Sequence, residues 1–233
     1  MGLQKKDFIE IEFTGRIKET SEIFDTNVKE ELDKLHISQE HEDDHIHEAK
    51  TLIYCLGEGM FLGGVDDSLI GKEIGKHIIG LSSEKAFGKR QRELVKMIPI
   101  KIFFQHKINP VQGARLNFDG KMGKVLSVSG GRVLVDFNHP IAGKDVIYEI
   151  NVKKIVQNID EKIKAFNSFI FKRDFKFEVN QNDKKVIYEI PESDKQLKIF
   201  VEIFKEKFKE IFEMELKIKE DKEKKEDKQE NQN

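Results

Sequence analysis

Four histidines, His36, His41, His45 and His47, stand among Glu40, Glu42, Asp43, Asp44 and Glu48. Imidazole nitrogens beside carboxylate oxygens are the donors of a divalent-metal site, and a helix would put His41 and His45, four residues apart, on one face. The same composition describes a solvated acidic loop whose histidines ligate nothing. No metal site is therefore assigned, and metal handling through 36–47 is kept as a rival function. Cys55 is the one cysteine of the chain. It sits in an apolar run with no histidine to pair with, and reads as a small buried hydrophobe rather than a nucleophile. Gly57, Gly59, Gly63 and Gly64 cluster around the apolar Met60-Phe61-Leu62, and no Lys-Ser/Thr follows, so they do not cradle phosphate. Asp25, before Thr26-Asn27, can serve as a turn residue bonding its own backbone. Nothing here calls for a cofactor. The unusual resource is aromatic: 18 phenylalanines and no tryptophan. Phe buries a large area with no polar atom to satisfy, so most belong to cores and a few remain for a binding surface.

Strands and short helices must position these residues. Ile9, Ile11 and Phe13 alternate along 9–17, a half-buried strand. Residues 20–50 are charged and weakly periodic, apart from Ile23-Phe24 and a short helix expected around Glu30 to Leu35. The run 51–56 reads as an apolar strand ended by Gly57. Gly63-Gly64 then turns the chain into a short helix with Val65, Leu69 and Ile70, stopped by Gly71, and 76–81 is again a strand. After Gly88 the texture changes: Leu94, Val95, Met97, Ile98, Ile100, Ile102, Phe103 and Phe104 crowd around Pro99. Three strands are expected at 115–118, 124–128 and 132–137, the last two joined by Ser129-Gly130-Gly131, a hairpin turn. Residues 146–152 alternate once more.

Beyond 155, Ile159, Ile163, Phe166 and Ile170 follow helical spacing. Phe175, Phe177 and Val179 alternate, as do Val186, Tyr188 and Ile190, with Gln181-Asn182-Asp183 turning between them. Leu197, Val201, Phe204, Phe208 and Ile211 form a helical stripe, widened by Phe200, Ile203 and Phe212. That last helix carries more apolar surface than its own small unit can bury. Dimerisation through 155–218 and packing on the first domain are the two ways to cover it. Residues 219–233 contain no apolar side chain and are expected to be a disordered charged tail.

Composition narrows the class. The 233 residues are 36% charged and 38% hydrophobic, with 41 basic against 43 acidic side chains and a formal charge of −2. This near balance argues against a grip on nucleic acid or an acidic membrane. No run approaches the about 18 apolar residues of a membrane span, and Met1 to Asp7 has no signal-peptide core. A cytoplasmic protein is the expectation.

Four segments in order carry a resemblance. They are Phe13 with Gly15, then Phe24-Asp25-Thr26-Asn27, then Leu56-Gly57-Glu58-Gly59-Met60-Phe61-Leu62-Gly63-Gly64, then Glu84-Lys85-Ala86-Phe87-Gly88, with a closing strand around Tyr148. Together they resemble the FKBP class of peptidyl-prolyl cis/trans isomerases. The stretch Val133-Leu134-Val135-Asp136-Phe137-Asn138-His139-Pro140-Ile141-Ala142-Gly143-Lys144 is similar to the return of the SlyD-like subgroup, with Pro140 a departure. That subgroup carries an insert in its flap after the Ala-Phe-Gly element. The unit after 155 resembles the extra domain of the long archaeal form.

The resemblance implies an α+β fold. A half-open antiparallel FKBP sheet wraps a short helix (1–88 plus 139–153), followed in space by a small β-rich inserted flap domain (89–138) and a C-terminal helix–hairpin–helix domain (155–218). It also implies an apolar pocket for proline. Phe24, Phe61, Leu62 and Tyr148 would form its walls, with Phe13, Phe87 and Asp25 around them. Val65 would be the floor, where many relatives place tryptophan. The Leu62 N–H would bind a peptide carbonyl, and Asp25 would polarise the twisted amide. Phe13 and Phe87 stand where relatives often carry tyrosine, so two hydroxyls are missing. The implied partners are unfolded or partly folded proteins with X-Pro bonds. In the insert, Met97, Ile98, Ile102, Phe103 and Phe104 are either all buried or include an exposed client-binding patch, and the patch is favoured because about 50 residues enclose little interior. SlyD-like relatives bind nickel or zinc through a histidine-rich tail; the tail here has no histidine, so that function does not carry over. The rival to isomerase with client capture is a holdase whose pocket has decayed.

Overall fold

The computed structural model describes residues 2–32, 50–191 and 193–219. A helical turn occupies 29–32. The rest of the helix expected to Leu35, the histidines His36, His41, His45 and His47, and residues 220–233 lie outside the described residues.

The fold is mixed α+β, built mainly on antiparallel sheets. The first sheet is assembled around the long strand β1 (Phe8–Ile17), whose two halves take different partners on one side. Phe8 to Ile11 pair with β3 (Leu52–Cys55), and Thr14 to Arg16 pair with β2 (Ile23–Thr26). On its other side β1 pairs along its length with β9 (Val146–Ile155), which in turn pairs with β4 (Gly75–Leu81). Helix α1 (Gly63–Leu69) lies across this sheet and buries Val65 and Leu69 completely. Gly64 permits that approach: a Cβ there would fall 2.6 Å from the Lys85 carbonyl oxygen.

The chain leaves this sheet after Gly88 and returns at His139. Between them β5 (Val95–Pro99), β6 (Arg115–Phe118), β7 (Lys121–Ser129) and β8 (Arg132–Asp136) form a second sheet in the order β5-β8-β7-β6. Gly130 and Gly131, with φ of 56° and 76°, make the β7–β8 turn whose twist suits a hairpin. Helix α2 (Ile100–Gln105) starts directly after Pro99. Its Phe103 fills the small core with Val125, Val133 and Val135.

The C-terminal unit begins with α3 (Ile159–Ile170), capped by the Asn158 side chain, which accepts from the Asp160 and Glu161 N–H groups. Strands β10 (Phe177–Asn180) and β11 (Lys185–Tyr188) make the hairpin, and α4 (Lys195–Phe212) follows. Here the expected helix–hairpin–helix is incomplete. Glu213 adopts the left-handed conformation (φ 54°), ends α4 and feeds a further strand, β12 (Glu215–Ile218), which pairs parallel to β11. Met214 and Leu216 thereby turn into the core. The broad apolar surface of α4 is divided. Phe212 meets Phe166 of its own unit edge to face and also meets Phe8 of the first sheet, at 5.6 and 5.4 Å between ring centroids. Ile199, Phe200 and Ile203 remain exposed. Among the described residues no helix is long and apolar enough to cross a membrane.

Candidate active site

Strand register decides what meets at the middle of the first sheet. Gly15 on β1 stands opposite Asp25 on β2 and Tyr148 on β9, with a bulge just after it. A Cβ at residue 15 would lie 2.7 Å from Phe24 Cζ and 3.1 Å from Tyr148 Cε1. The bare glycine is what lets both rings close over the strand. The residues after Asp25 hold β2 in place. Thr26 Oγ1 donates to the Phe13 carbonyl at 2.9 Å, Asn27 Oδ1 accepts from the Phe13 N–H at 2.7 Å, and Asn27 Nδ2 donates to the Ile11 carbonyl at 3.1 Å. Thr26 and Asn27, positioning residues that the sequence shows only as part of a motif, tie β2 to β1.

Six aromatic rings form a continuous set above this point. Phe61 meets Phe13 at 5.1 Å, Tyr148 at 5.7 Å and Tyr54 at 5.3 Å. Phe24 meets Tyr148 at 5.7 Å and Phe87 at 5.5 Å, edge to face. Phe24, Phe61, Leu62 and Phe87 are half-buried and present apolar surface outward, whereas Phe13, Val65 and Tyr148 are buried beneath them. Leu62 is the N-cap residue of α1, with its φ and ψ extended. Its carbonyl accepts from Val65 and Asp66, while its own N–H has no hydrogen-bond acceptor among the described residues. Burial, and secondarily the Asp25 carboxylate, push the Tyr148 phenol up, so its hydroxyl keeps its proton at any ordinary pH. The arrangement offers a dry aromatic surface, one free backbone donor and one protonated hydroxyl beside a carboxylate. Cys55 does not serve as a nucleophile there: burial first of all pushes its thiol up to about 12.

Comparison with known proteins accords with this geometry. The chain is 30% identical over 112 residues to the FKBP-type 16 kDa peptidyl-prolyl cis-trans isomerase of Escherichia coli, spanning 46% of this chain and 74% of that protein. The chain belongs to the FKBP-type peptidyl-prolyl isomerase family. It is also 24% identical over 156 residues to the short-type peptidyl-prolyl cis-trans isomerase of Methanocaldococcus jannaschii, covering 66% of this chain and 94% of that one. To the FKBP-type isomerase SlyD of Treponema pallidum it is 29% identical over 120 residues, 49% of this chain and 68% of the relative. The family model described as FKBP26, IF domain, matches residues 96–141.

In this FKBP-type chain the inserted sheet is joined to the aromatic site by two closely bound strands of chain. Gly143 N–H donates to the Gly88 carbonyl at 2.8 Å, and the Asn138 side chain bonds the Gln91 backbone at both its N–H (2.8 Å) and carbonyl (2.9 Å). Asp136 pairs with Arg90. Burial raises its carboxyl, but hydrogen bonds from Asn138 and the Arg90 charge outweigh that and hold it below the usual range. His139, which the sequence reading left without a role, stacks on Phe87 at 4.6 Å and 11°. It links the returning chain directly to the Phe87 ring.

The residues expected to bind clients separate into two groups. Met97, Ile102 and Phe104 are exposed, at 59%, 45% and 55%. Phe103 is not: it is 2% exposed and packs edge-on to Phe118 at 5.8 Å. Successive helical residues point about 100° apart, so 103 turns inward while 102 and 104 turn out. Ile98 is half-buried against the same core. Val111 and Met122, exposed at 58% and 53%, add apolar surface not singled out in the sequence. Among the described residues no cluster of His, Cys, Asp and Glu could hold a metal.

Proposed function

We propose that this chain catalyses cis/trans isomerisation of X-Pro bonds at the aromatic site and takes hold of unfolded or partly folded proteins through its inserted domain. The observation that carries the reading is the ring set Phe13, Phe24, Phe61, Phe87 and Tyr148 converging beside the unpaired Leu62 N–H. The X-Pro barrier, about 18–20 kcal/mol, comes from amide resonance. Catalysis needs only a site that favours the twisted amide over the planar one. Phe24, Phe61 and Phe87 would receive the proline ring on a surface poor in water, over Val65 as floor. Leu62 N–H would hold the peptide carbonyl on one side of the proline. On the other side the amide carbonyl loses resonance as it turns, and Asp25 with the Tyr148 hydroxyl supplies the fixed dipoles that accommodate it. The division of labour follows the chain: 1–88 with 139–153 for chemistry, 89–138 for capture through Met97, Ile102 and Phe104. Methionine and phenylalanine suit loosely specific clients because they repack easily.

A holdase with a decayed pocket is supported by one feature, the hydroxyl-free Phe13 and Phe87. Both readings meet the same experiment. Refolding of a proline-limited protein is followed with the intact chain and with a version in which 89–138 is replaced by a short loop, alongside a proline tetrapeptide assay. The shortened chain is expected to keep tetrapeptide catalysis and lose most of its effect on refolding. Absence of tetrapeptide catalysis in the intact chain overturns the enzyme reading in favour of the holdase. Equal acceleration of refolding by both chains removes the insert as the capture surface.

A further inference from the structure

The loop that carries Phe61 and Leu62 is not held by the first sheet alone. It leaves β3 at Leu56, whose carbonyl accepts from the Lys6 N–H at 2.9 Å, and turns at Gly57, whose N–H donates to Asp66 Oδ2 at 3.1 Å. Between these anchors and Phe61 stands Glu58, a carboxylate with its side chain only 2% exposed. Its close partner comes from another part of the molecule: Lys207, on α4 of the C-terminal unit, forms a direct ion pair with Glu58 Oε2. Lys5 approaches the other oxygen no closer than 3.9 Å, and among the described residues Glu58 Oε1 has no hydrogen bond. The same turn of α4 is held from the first domain, as Lys6 Nζ donates to the Glu210 carbonyl at 2.9 Å while Lys207 also lies 3.4 Å from Glu210.

A carboxylate this enclosed is tolerated only while a cation stands against it; removing the partner leaves a desolvated charge whose relief is to pull its loop toward water. The loop in question ends, three and four residues later, in Phe61 and the Leu62 N–H. We propose that Lys207 is a positioning residue for the isomerase loop, so that the C-terminal unit helps to set the proline site. This rests on the reading of Phe61 and Leu62 given above, and extends it to a residue 149 positions from Glu58 in sequence.

The test uses the full chain. Lys207→Met removes the charge and keeps the stem, Lys207→Arg keeps the charge, and the double change Glu58→Gln with Lys207→Met removes the need for it. Two readouts are taken: the amide ¹H–¹⁵N resonances of Phe61 and Leu62, and kcat/KM on a proline tetrapeptide. With Lys207→Met both amides are expected to move or broaden and kcat/KM to fall about tenfold, as displacement of a binding group commonly does. Lys207→Arg and the double variant should restore both, a rescue that mere loss of packing on α4 would not show. Unmoved Phe61 and Leu62 amides in Lys207→Met overturn the proposal, as does a double variant no better than the single one. Should the single variant fail to fold, the folded double variant, compared with Glu58→Gln alone, decides the same question. If the unmodified chain lacks tetrapeptide activity, the pocket reading falls by itself, and the amide resonances alone judge the positioning.

Discussion

Asp66→Asn should stabilise the folded chain above about pH 6 and change little near pH 4. Asp66 lies in the first turn of α1, 2% exposed, next to the buried Val65. Burial raises its carboxyl from 3.8 to about 6, even though Tyr54 and the Gly57 N–H pull the other way. Tyr54 Oη and Asp66 Oδ1 are both buried without a well-formed hydrogen bond, although the phenol is near enough to favour the carboxylate. The sign follows from proton counts. Between pH 3.8 and about 6 the folded chain keeps a proton that the unfolded chain releases, so stability falls as pH rises through that window. Above it the whole penalty is present. At about 1.4 kcal/mol per tenfold difference in proton affinity, the upper bound is about 3 kcal/mol. Asparagine has the shape of the carboxylate, still accepts from Gly57, and offers Tyr54 Oη a donor. Allowing for the cost of burying an amide, a gain of about 1–2 kcal/mol is expected near pH 7.5. Urea denaturation of both proteins across this pH range reads it directly. A gain as large near pH 4 as near pH 7.5, or a loss at neutral pH, would refute the reasoning.

Two further outcomes concern the site and the insert. Gly15→Ala should leave a folded chain but force Phe24 and Tyr148 off β1, lowering tetrapeptide kcat/KM about tenfold; unaltered kinetics would show that the placement of these two rings does not set the rate. Phe103→Ala should cost the insert about 3–5 kcal/mol and unfold it locally, whereas Phe104→Ser should keep its amide spectrum and lose client capture. Equal spectra for the two variants would contradict the inward and outward placement of these rings.

Most strands were legible because each has one wet face. The alternation in 9–17 and 146–152, and the Ser129-Gly130-Gly131 turn, became β1, β9 and the β7–β8 hairpin within a few residues. Strand β12 escaped because the punctuation ahead of it is Glu213, a residue with no preference for the left-handed turn it makes; Met214, Leu216 and Ile218 were too short a run to announce a strand after a long helix. In 100–104 apolar residues surround the helix, so no period tells Phe103 from Ile102 and Phe104; only the sheet beneath α2 does. The aromatic site could be assembled from motif order, with the rings far apart in the chain. Its supports could not. Lys207 is one lysine among many on a helix alternating Lys and Glu, and nothing local distinguishes the one that reaches Glu58. His139 likewise stands out only once the return strand is laid beside Phe87.

The placement of β9 governs the order in which the molecule can be completed on the ribosome. This strand lies between β1 and β4, yet it is made after the entire insert. Until residues 146–155 emerge, β1 and β4 have no shared neighbour and the Tyr148 ring is missing from the site. The inserted sheet, closed by β8 at Asp136, has all its strands before then. At about 5–20 residues per second, the part of the chain with exposed Met97 and Phe104 is therefore finished ahead of the part with the aromatic ring set.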